Sequence, residues 1–519
     1  MGSKRRMSNV AASLVLLFLC LSTGTGAGAE DKPAAQRADA LSALAAGLRP
    51  SIVEAGQAMP HWSLQERMTH YGVPGVAVAV IRDGKVVQAA GYGVRHDRAA
   101  VDAQTAFSVG SVSKIITAAA ALRLVADGRL DLERDVAGYL DHWRFSAHPN
   151  APGAKVSLRM LLSHTAGFNV HGFEDYPPAA PLPTLLQTLE GAPPARNEAV
   201  RLIDPPGLRM RYSGGGVQVE QLVLESVAER PFARLARDVV FSPLGMGRST
   251  FEQPLAAAFG NIAHAHDRDG KPAALPRGWE SFPEQAASGL WTSAEDLGTF
   301  VAALIESYRG RNDFLPRAIA QDMMTEVWPT LHGLGPRLQG EGGTRFFHHG
   351  GANDSYRAWI EGHLDSGNGL VILTNGSRGG QLMMEIRNAL TDALDDGINP
   401  PIRTLPDAAV RDAYADYTGS YTLDAAVPPE LRGNLAVLFL SGRAKVTQSE
   451  QVLRLQVAQD QEEDAAFQLA PLAPGRFITQ NGDPDFLRVS FDRDARGQVL
   501  GMRVERGTSR LFLHRSVAR

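Results

Sequence analysis

Two residues in this sequence, Ser111 and Lys114, have types and spacing that suggest chemistry directly. They open a run rich in alanine and leucine that ends near Asp127-Gly128, so we expect them on the first turn of a helix. Residues three apart on a helix share one face, with Cβ atoms about 5–6 Å apart. A neutral lysine there could accept the serine's proton, which predicts a serine nucleophile with an adjacent base.

The predicted position at a helix start adds a second advantage to Ser111. Its backbone N–H could point at an oxyanion that forms during attack on a carbonyl, and the helix dipole favours negative charge at that end. One S-x-x-K motif can occur by chance in a chain of 519 residues. The surrounding sequence must therefore decide whether the pair is functional.

Composition places the chain among globular proteins with more than one domain. It has 519 residues, of which 44% are hydrophobic, enough for a sizeable core. The formal net charge of −4 gives no basis for a nucleic-acid or an anionic-membrane partner. We expect the partner to be a small-molecule or peptide substrate, and the oligomeric state is left open.

Residues 1–29 have the pattern of a secretory signal peptide. Basic residues precede an apolar run at 10–21, and small residues at 27–29 offer a cleavage site. The apolar run is too short to span a bilayer, so we expect no stable membrane anchor after cleavage. The sequence thus predicts a secreted or periplasmic protein. Cleavage would remove Cys20, the single cysteine, and with it any disulfide or cysteine-zinc site.

The order of elements predicts an α+β fold followed by an all-β domain. Strand patterns near both ends of residues 40–398 enclose a long helical region, which favours an antiparallel sheet flanked by helices with an inserted helical region. Prolines mark a linker at 399–409. Residues 410–519 contain short alternating runs separated by Gly, Asp and Asn, typical of a small β-barrel.

Three further segments accompany the Ser111–Lys114 pair: LLSHTAG at 161–167, RYSGGG at 211–216 and FHHGGAN at 347–353. In this order they resemble the serine hydrolases of the β-lactamase and penicillin-binding protein superfamily. The closest similarity is to the class C branch, which includes D,D-peptidases, D-aminopeptidases and esterases. The likeness covers roughly residues 55–395, and the tail resembles the lipocalin-like barrels appended to such enzymes.

The resemblance implies a role for each matching residue. Ser111 would be the acylated nucleophile, and Lys114 and Tyr212 would share its proton, with the main base left open between them. His349 matches the third family element, often H-x-G in this branch. The backbone N–H groups of Ser111 and Ala352 would form the oxyanion hole.

Two departures from the family pattern bear on the substrate. Gly214 stands where the family usually has asparagine, and Gly350 stands where a hydroxyl residue helps to bind a substrate carboxylate. With Gly351 and Asn353, these positions form the predicted substrate-binding set. The acylation machinery is complete, whereas recognition of β-lactams and peptide C-termini is expected to be weakened.

The sequence therefore predicts an exported serine hydrolase that forms an acyl-enzyme with an ester, amide or peptide. We expect esterase- or peptidase-like activity with weak β-lactamase activity. The alternatives are a β-lactamase or D-alanyl-D-alanine carboxypeptidase proper, or a non-catalytic sensor that keeps the scaffold. No cofactor and no metal are expected, because His264 and His266 have no third ligand nearby in the sequence.

Overall fold

The computed structural model describes residues 39–424, 427, 434–438, 441–449, 452–457, 465–480 and 486–516. The predicted signal peptide at 1–29 lies outside the described residues. Across the described ranges, none of the helices combines the length and the apolar character needed to cross a membrane.

The strands of the N-terminal part have the following bounds. They are β1 (Ile52–Glu54), β2 (Gly75–Arg82), β3 (Lys85–His96), β4 (Ala99–Ala100), β5 (Phe107–Ser108), β6 (Trp291–Thr292), β7 (Arg337–Gln339), β8 (Phe346–Asn353), β9 (Tyr356–His363), β10 (Gly369–Thr374) and β11 (Ile402–Thr404). Seven of them form one antiparallel sheet in the order β4-β3-β2-β10-β9-β8-β7. Because β2 pairs with β10, the N-terminal β2–β3 hairpin and strands that follow about 270 residues later belong to one sheet. The predicted mixed fold with an antiparallel sheet is confirmed.

The helices have the following bounds. They are α1 (Leu64–Tyr71), α2 (Ser113–Ala126), α3 (Leu158–Leu162), α4 (Leu185–Glu190), α5 (Gly214–Ala228), α6 (Phe232–Ala236), α7 (Ser242–Leu244), α8 (Gln285–Ser288), α9 (Ala294–Arg309), α10 (Arg317–Met323), α11 (Gly379–Leu394), α12 (Tyr414–Tyr417) and α13 (Asn434–Val437). Helices α3 to α10 lie in the chain between β5 and β8, which is the predicted inserted helical region.

Both faces of the central strands are buried, which explains their nearly continuous apolar sequences. On β2, Ala77 and Ala79 pack in the core that contains α2 and α9, whereas Val76 and Val78 pack in the core that contains α11. Side chains alternate between faces along a strand. The sheet therefore has the α2 side on one face and the α11 side on the other.

The segment predicted as a linker contains strand β11. This strand pairs in parallel with β1, with Ile52 opposite Ile402. Immediately after β11, the Leu405 N–H donates to the Pro471 carbonyl at 2.7 Å. Backbone hydrogen bonds therefore hold the chain on both sides of the point where it enters the C-terminal barrel.

The C-terminal strands form a closed eight-stranded antiparallel barrel, as the alternating pattern predicts. They are β12 (Gly419–Leu423), β13 (Arg443–Ser449), β14 (Val452–Val457), β15 (Ala465–Ala473), β16 (Arg476–Thr479), β17 (Arg488–Arg493), β18 (Val499–Arg506) and β19 (Ser509–Arg515). Pairing of β12 with β19 closes it. Its core includes Tyr421, Leu455 and Met502, all fully buried. Closure gives each described strand of the barrel a partner on both sides.

A buried ion network joins β9 to α11. The Glu361 carboxylate accepts from Arg387 Nε at 2.5 Å and Trp359 Nε1 at 2.9 Å, and lies 2.9 Å from His363 Nε2. The Nδ1 of His363 bonds to Asp396. Burial alone would raise the pKa of Glu361, but Arg387 and His363 hold it well below its usual range. Burial opposes protonation of His363, yet its bonds to Asp396 and Glu361 raise its pKa to about 9.

We expect Glu361→Gln to destabilise the protein by about 3–5 kcal/mol, because it leaves Arg387 buried without a full counter-charge. Urea unfolding measures the change. The matched control is Glu198→Gln, whose carboxylate pairs with Arg201 at the surface, with side chains 55% and 56% exposed. That control should stay within about 0.5 kcal/mol. An unchanged midpoint for Glu361→Gln would show that the network adds nothing to stability.

The same network predicts the direction in which stability changes with pH. The folded-state pKa of His363 lies above its ordinary value of 6.5, so protonation favours the folded state. Its contribution is complete below about pH 6.5 and is lost as the pH rises through about 9. Replacement of His363 by glutamine should remove this alkaline loss from the unfolding profile.

Candidate active site

The backbone before α2 places Ser111 against strand β8. Residues Gly110–Val112 form a short 3-10 turn that leads into α2. Gly110 has a φ of +50°, and a Cβ on it would lie 2.7 Å from the Ala352 nitrogen. Glycine is required at this close approach, because other residues rarely adopt that conformation and would clash. The Ala352 amide therefore lies beside the residue that precedes Ser111.

Lys114 is the second residue of α2, and its amine lies next to the serine. Its Nζ donates to Ser111 Oγ at 3.1 Å and to the Ala287 carbonyl at 2.7 Å, and the residue is only 5% exposed. The Ser113 and Thr117 hydroxyls bond to neighbouring backbone groups, including those of the α8 segment, and hold the helix in place. The amine is thus fixed by two acceptors, one of which is Ser111 Oγ.

Tyr212 lies just before α5 and faces the same amine. The Lys114 Nζ is 5.1 Å from the centroid of the phenol ring. His164 and His171 pack on that ring with centroid distances of 4.4 and 5.0 Å. Burial lowers the pKa of His164 well below its ordinary value, so His164 stays neutral and supports the ring.

His349 lies on β8, with its ring centroid 6.4 Å from that of Tyr212. Its Nδ1 lies 2.7 Å from the Gly350 carbonyl, which can only accept, so Nδ1 carries the proton. Burial, with the charges of Arg337 and Lys114, lowers the pKa of His349 well below 6.5. Its Nε2 is buried, has no partner among the described residues and is free to accept a hydrogen bond.

The neighbouring histidine faces the other side of the sheet. The His348 ring stacks on Trp359 with a centroid distance of 4.7 Å. This matches the alternation of side chains along a strand.

The two glycines that follow His349 differ in the room around them. A Cβ on Gly351 would lie 1.9 Å from the Val109 carbonyl oxygen, so no side chain fits there. A Cβ on Gly350 would lie 3.4 Å from the nearest atom of Trp359, which is an ordinary contact. Gly351 is therefore required for β8 to approach the turn that carries Ser111, whereas Gly350 is not.

Gly214 and Asn353 differ in their position relative to the cavity that contains Ser111. A Cβ on Gly214 would lie 2.9 Å from the ring of Phe173, so this ring fills the space in which an asparagine would lie. Gly214 itself does not line the cavity described below. Asn353 does line it, and its Nδ2 donates to Ser108 Oγ at 2.6 Å.

One cavity of about 1100 Å³ contains Ser111, Lys114, Tyr212 and His349 in its wall. Residues separated by more than 230 positions in the chain thus meet at one place. Gly350, Gly351 and Ala352 line the same cavity.

Arg337 is a site residue that the sequence did not reveal. It lies on β7, lines the cavity, and its guanidinium carbon is 5.9 Å from the Tyr212 ring centroid. Its charge helps to lower the pKa of buried His332 to about 3, after burial itself. Arg337 is the first residue of the three-residue strand β7, and no sequence motif marks it. The sequence therefore gives no signal that Arg337 lies at the site.

Two buried carboxyl groups, Glu220 and Glu284, lie close enough to Lys114 to interact with its charge. Burial raises the pKa of Glu220 to about 8 and of Glu284 to about 7, and the Lys114 charge opposes both shifts. Glu284 accepts a hydrogen bond from Ser288, which lines the cavity. In the described part of the chain, no three His, Cys, Asp or Glu side chains group closely enough to hold a metal ion.

Comparison with known proteins identifies relatives of this part of the chain. A family model described as Beta-lactamase matches residues 63–394. A Beta-lactamase of Lysobacter lactamgenus is 30% identical over 238 residues, which are 45% of this chain and 56% of that protein. Penicillin-binding protein 4 of Amycolatopsis lactamdurans is 26% identical over 71% of this chain and 98% of its own length.

Other matches are shorter or more distant. Protein flp of Staphylococcus aureus (strain N315) is 24% identical, and the match covers 35% of each chain, so this chain spans about a third of that relative. The octameric penicillin-binding protein homologue from Pyrococcus abyssi has a TM-score of 0.55 at 20% identity, over 86% of this chain and 98% of its own. SurE with D-Leu has a TM-score of 0.53 at 24% identity, over 87% and 97%. These structures share the fold.

Proposed function

Because the chain belongs to the beta-lactamase family, we propose that it is a serine hydrolase that acts through an acyl-enzyme on Ser111. The observation that carries the proposal is the 3.1 Å hydrogen bond from Lys114 Nζ to Ser111 Oγ, in a cavity that also contains Tyr212 and His349. Covalent labelling with a fluorophosphonate, followed by intact-mass spectrometry, is the direct test. We place the reaction outside the cytoplasm on the basis of the signal-peptide pattern at 1–29.

In the proposed acylation step, Ser111 Oγ forms a bond to the substrate carbonyl carbon, and its proton passes to Lys114 as the neutral amine or to Tyr212 as the phenolate. The carbonyl electron pair moves to oxygen, which the N–H groups of Ser111 and Ala352 would stabilise. The bond to the leaving group then breaks, and the leaving group receives the proton. Water hydrolyses the resulting ester to an acid and free Ser111.

The arrangement supports both candidate bases without choosing between them. Lys114 contacts Ser111 Oγ directly, and the Tyr212 ring lies 5.1 Å from the same amine. His349 completes the wall as a neutral acceptor, which would bind a donor on the substrate or on water.

We expect p-nitrophenyl butyrate to be hydrolysed with about two to four orders of magnitude higher kcat/KM than nitrocefin. Gly350 and Gly214 supply neither the hydroxyl nor the amide that would hold a β-lactam, and each missing bond costs about 1.5–3 kcal/mol if charge-assisted. Steady-state kinetics on both substrates measure the ratio. Equal efficiencies would contradict this preference.

A matched pair of variants tests the cause of the expected preference for the ester over nitrocefin. Gly350→Ser should raise nitrocefin turnover, because a side chain fits beside Trp359. Gly214→Asn should not, because its Cβ would meet the Phe173 ring at 2.9 Å.

Arg337 favours a second candidate, hydrolysis of a peptide or amide with a C-terminal carboxylate. A guanidinium binds carboxylates in a fixed, bidentate geometry, and Arg337 lines the cavity with Ser111. A D-Ala-D-Ala peptide assayed beside the ester separates the candidates. If the peptide is the substrate, Arg337→Gln should lower its turnover and leave that of the uncharged ester.

A further inference from the structure

The cavity that contains Ser111 is not built by the beta-lactamase-family domain alone. Its wall includes Gln480, which directly follows β16, and Phe486, which lies two residues before β17. Both belong to the C-terminal barrel. At about 1100 Å³ the cavity is at or above the upper end of the 300–1,000 Å³ typical of small-molecule sites. There is room beyond the scissile group for a sizeable substrate.

The barrel is held against the family domain at more than one place. One contact is the hydrogen bond between Leu405 and Pro471 described above. At another, Thr508 Oγ1 donates to the Glu326 carboxylate at 3.0 and 3.1 Å. Gly507 packs so closely on Leu331 that a Cβ would lie 2.8 Å from its side chain. Leu331 directly precedes the buried His332, so the barrel touches a segment that packs beside Tyr212.

The part of the wall formed by α11 and the barrel is mixed, because polar Gln381, Glu385 and Gln480 lie there beside apolar side chains. Trp359 and the α11 residues Met383 and Met384 line the cavity there, together with Phe486. The Trp359 ring is held rigidly, because its Nε1 donates to Glu361 and its face stacks on His348. This part of the wall therefore exists before any substrate binds.

Gly350 and Trp359 are neighbours in this wall. Gly350 lies directly opposite Trp359 in the β8–β9 pair. Trp359 is only 4% exposed, and the atoms nearest to the Cβ position of Gly350 are Cε3 and Cζ3 of the indole, at 3.4 and 3.5 Å. A group bound beside Gly350 would therefore contact this edge of the ring.

Resting on the proposed function, we propose that the substrate carries a bulky apolar group and that Phe486 of the barrel, with Trp359 and Met383, binds this group. The apolar group lies beside Gly350 and is buried between the two domains. Phe486 is then a specificity-determining residue, and the barrel is part of the substrate site. The driving force is the removal of apolar surface from water on both partners.

The test compares Phe486→Ala with the wild-type chain on p-nitrophenyl acetate and p-nitrophenyl decanoate, and on acetate esters of ethanol and decanol. In one of the two series, the preference for the long ester should fall by about tenfold or more, with the short ester unaffected. Phe486→Leu should restore part of the preference. Leu500→Ala, an exposed barrel residue at 52% exposure outside the cavity, is the control and should change neither ratio.

An unchanged long-to-short ratio in both series, including one produced by an equal loss on short and long esters, would overturn the inference. A binding readout keeps the inference separate from catalysis. Calorimetric titration with decanoate should give a Kd about tenfold weaker for Phe486→Ala than for the wild type, whether or not the protein turns over esters. Absence of any fluorophosphonate adduct on the wild type would reject the proposed function alone, and equal decanoate affinities would reject this inference alone.

Discussion

Ser111→Ala is expected to abolish covalent labelling by a fluorophosphonate and to lower ester turnover by about four orders of magnitude or more. Its hydroxyl would form the bond to the substrate, and it lies 3.1 Å from the Lys114 amine. Intact-mass spectrometry should find a single adduct on the wild type, mapped to Ser111 by peptide analysis. Ser288→Ala is the matched control, because its hydroxyl lines the same cavity yet donates to Glu284.

The control should keep the adduct and most of the labelling rate. An adduct that persists in folded Ser111→Ala, or none in the folded wild type, would reject the mechanism.

Lys114→Ala and Tyr212→Phe should each slow acylation by about a hundredfold or more, the lower range for general-base catalysis. If both variants keep rates near those of the wild type, a different base must act.

Gly351→Ala is expected to lower the acylation rate by about a hundredfold or more while the protein stays folded. The new Cβ would lie 1.9 Å from the Val109 carbonyl oxygen, so β8 must move away from the turn that holds Ser111. That movement separates the Ala352 N–H from Ser111, and a misplacement of about 1 Å can cost about a hundredfold in rate. Labelling rates measured against time at fixed probe concentration give the effect.

Gly343→Ala is the control for this change. Gly343 lies in the short turn before β8, and nothing lies within 4 Å of the position of a Cβ. The control should label at the wild-type rate. A Gly351→Ala variant that also labels at that rate would show that β8 need not lie this close to Ser111.

Local features of this fold follow from short stretches of sequence. Ser293 before α9 caps that helix by accepting from the Asp296 N–H, because a serine at this position satisfies a free backbone donor. Asp83-Gly84 joins β2 to β3, both with positive φ, as a tight hairpin requires. The short alternating runs after residue 410 predict the barrel for the same reason, since each strand's pattern is local.

Some residues of the candidate site are close together in the chain, and others are far apart. Ser111 and Lys114 are three positions apart, so one helical turn is enough to bring them together. Tyr212 and His349 lie about 100 and 240 positions further on, and only the family resemblance linked them to Ser111 in advance. Local patterns set which residues form a turn or strand, but they do not set which distant strands pair.

The sequence by itself therefore determined that Ser111 and Lys114 lie together, that the fold is mixed with an antiparallel sheet, and that a barrel follows. Tertiary structure alone decided that Phe173 fills the space beside Gly214, that Arg337 reaches Tyr212, and that Phe486 lines the cavity with Ser111. The physical reason is that these contacts join elements far apart in the chain, and they depend on how whole layers pack. No local periodicity, cap or turn signal records such packing.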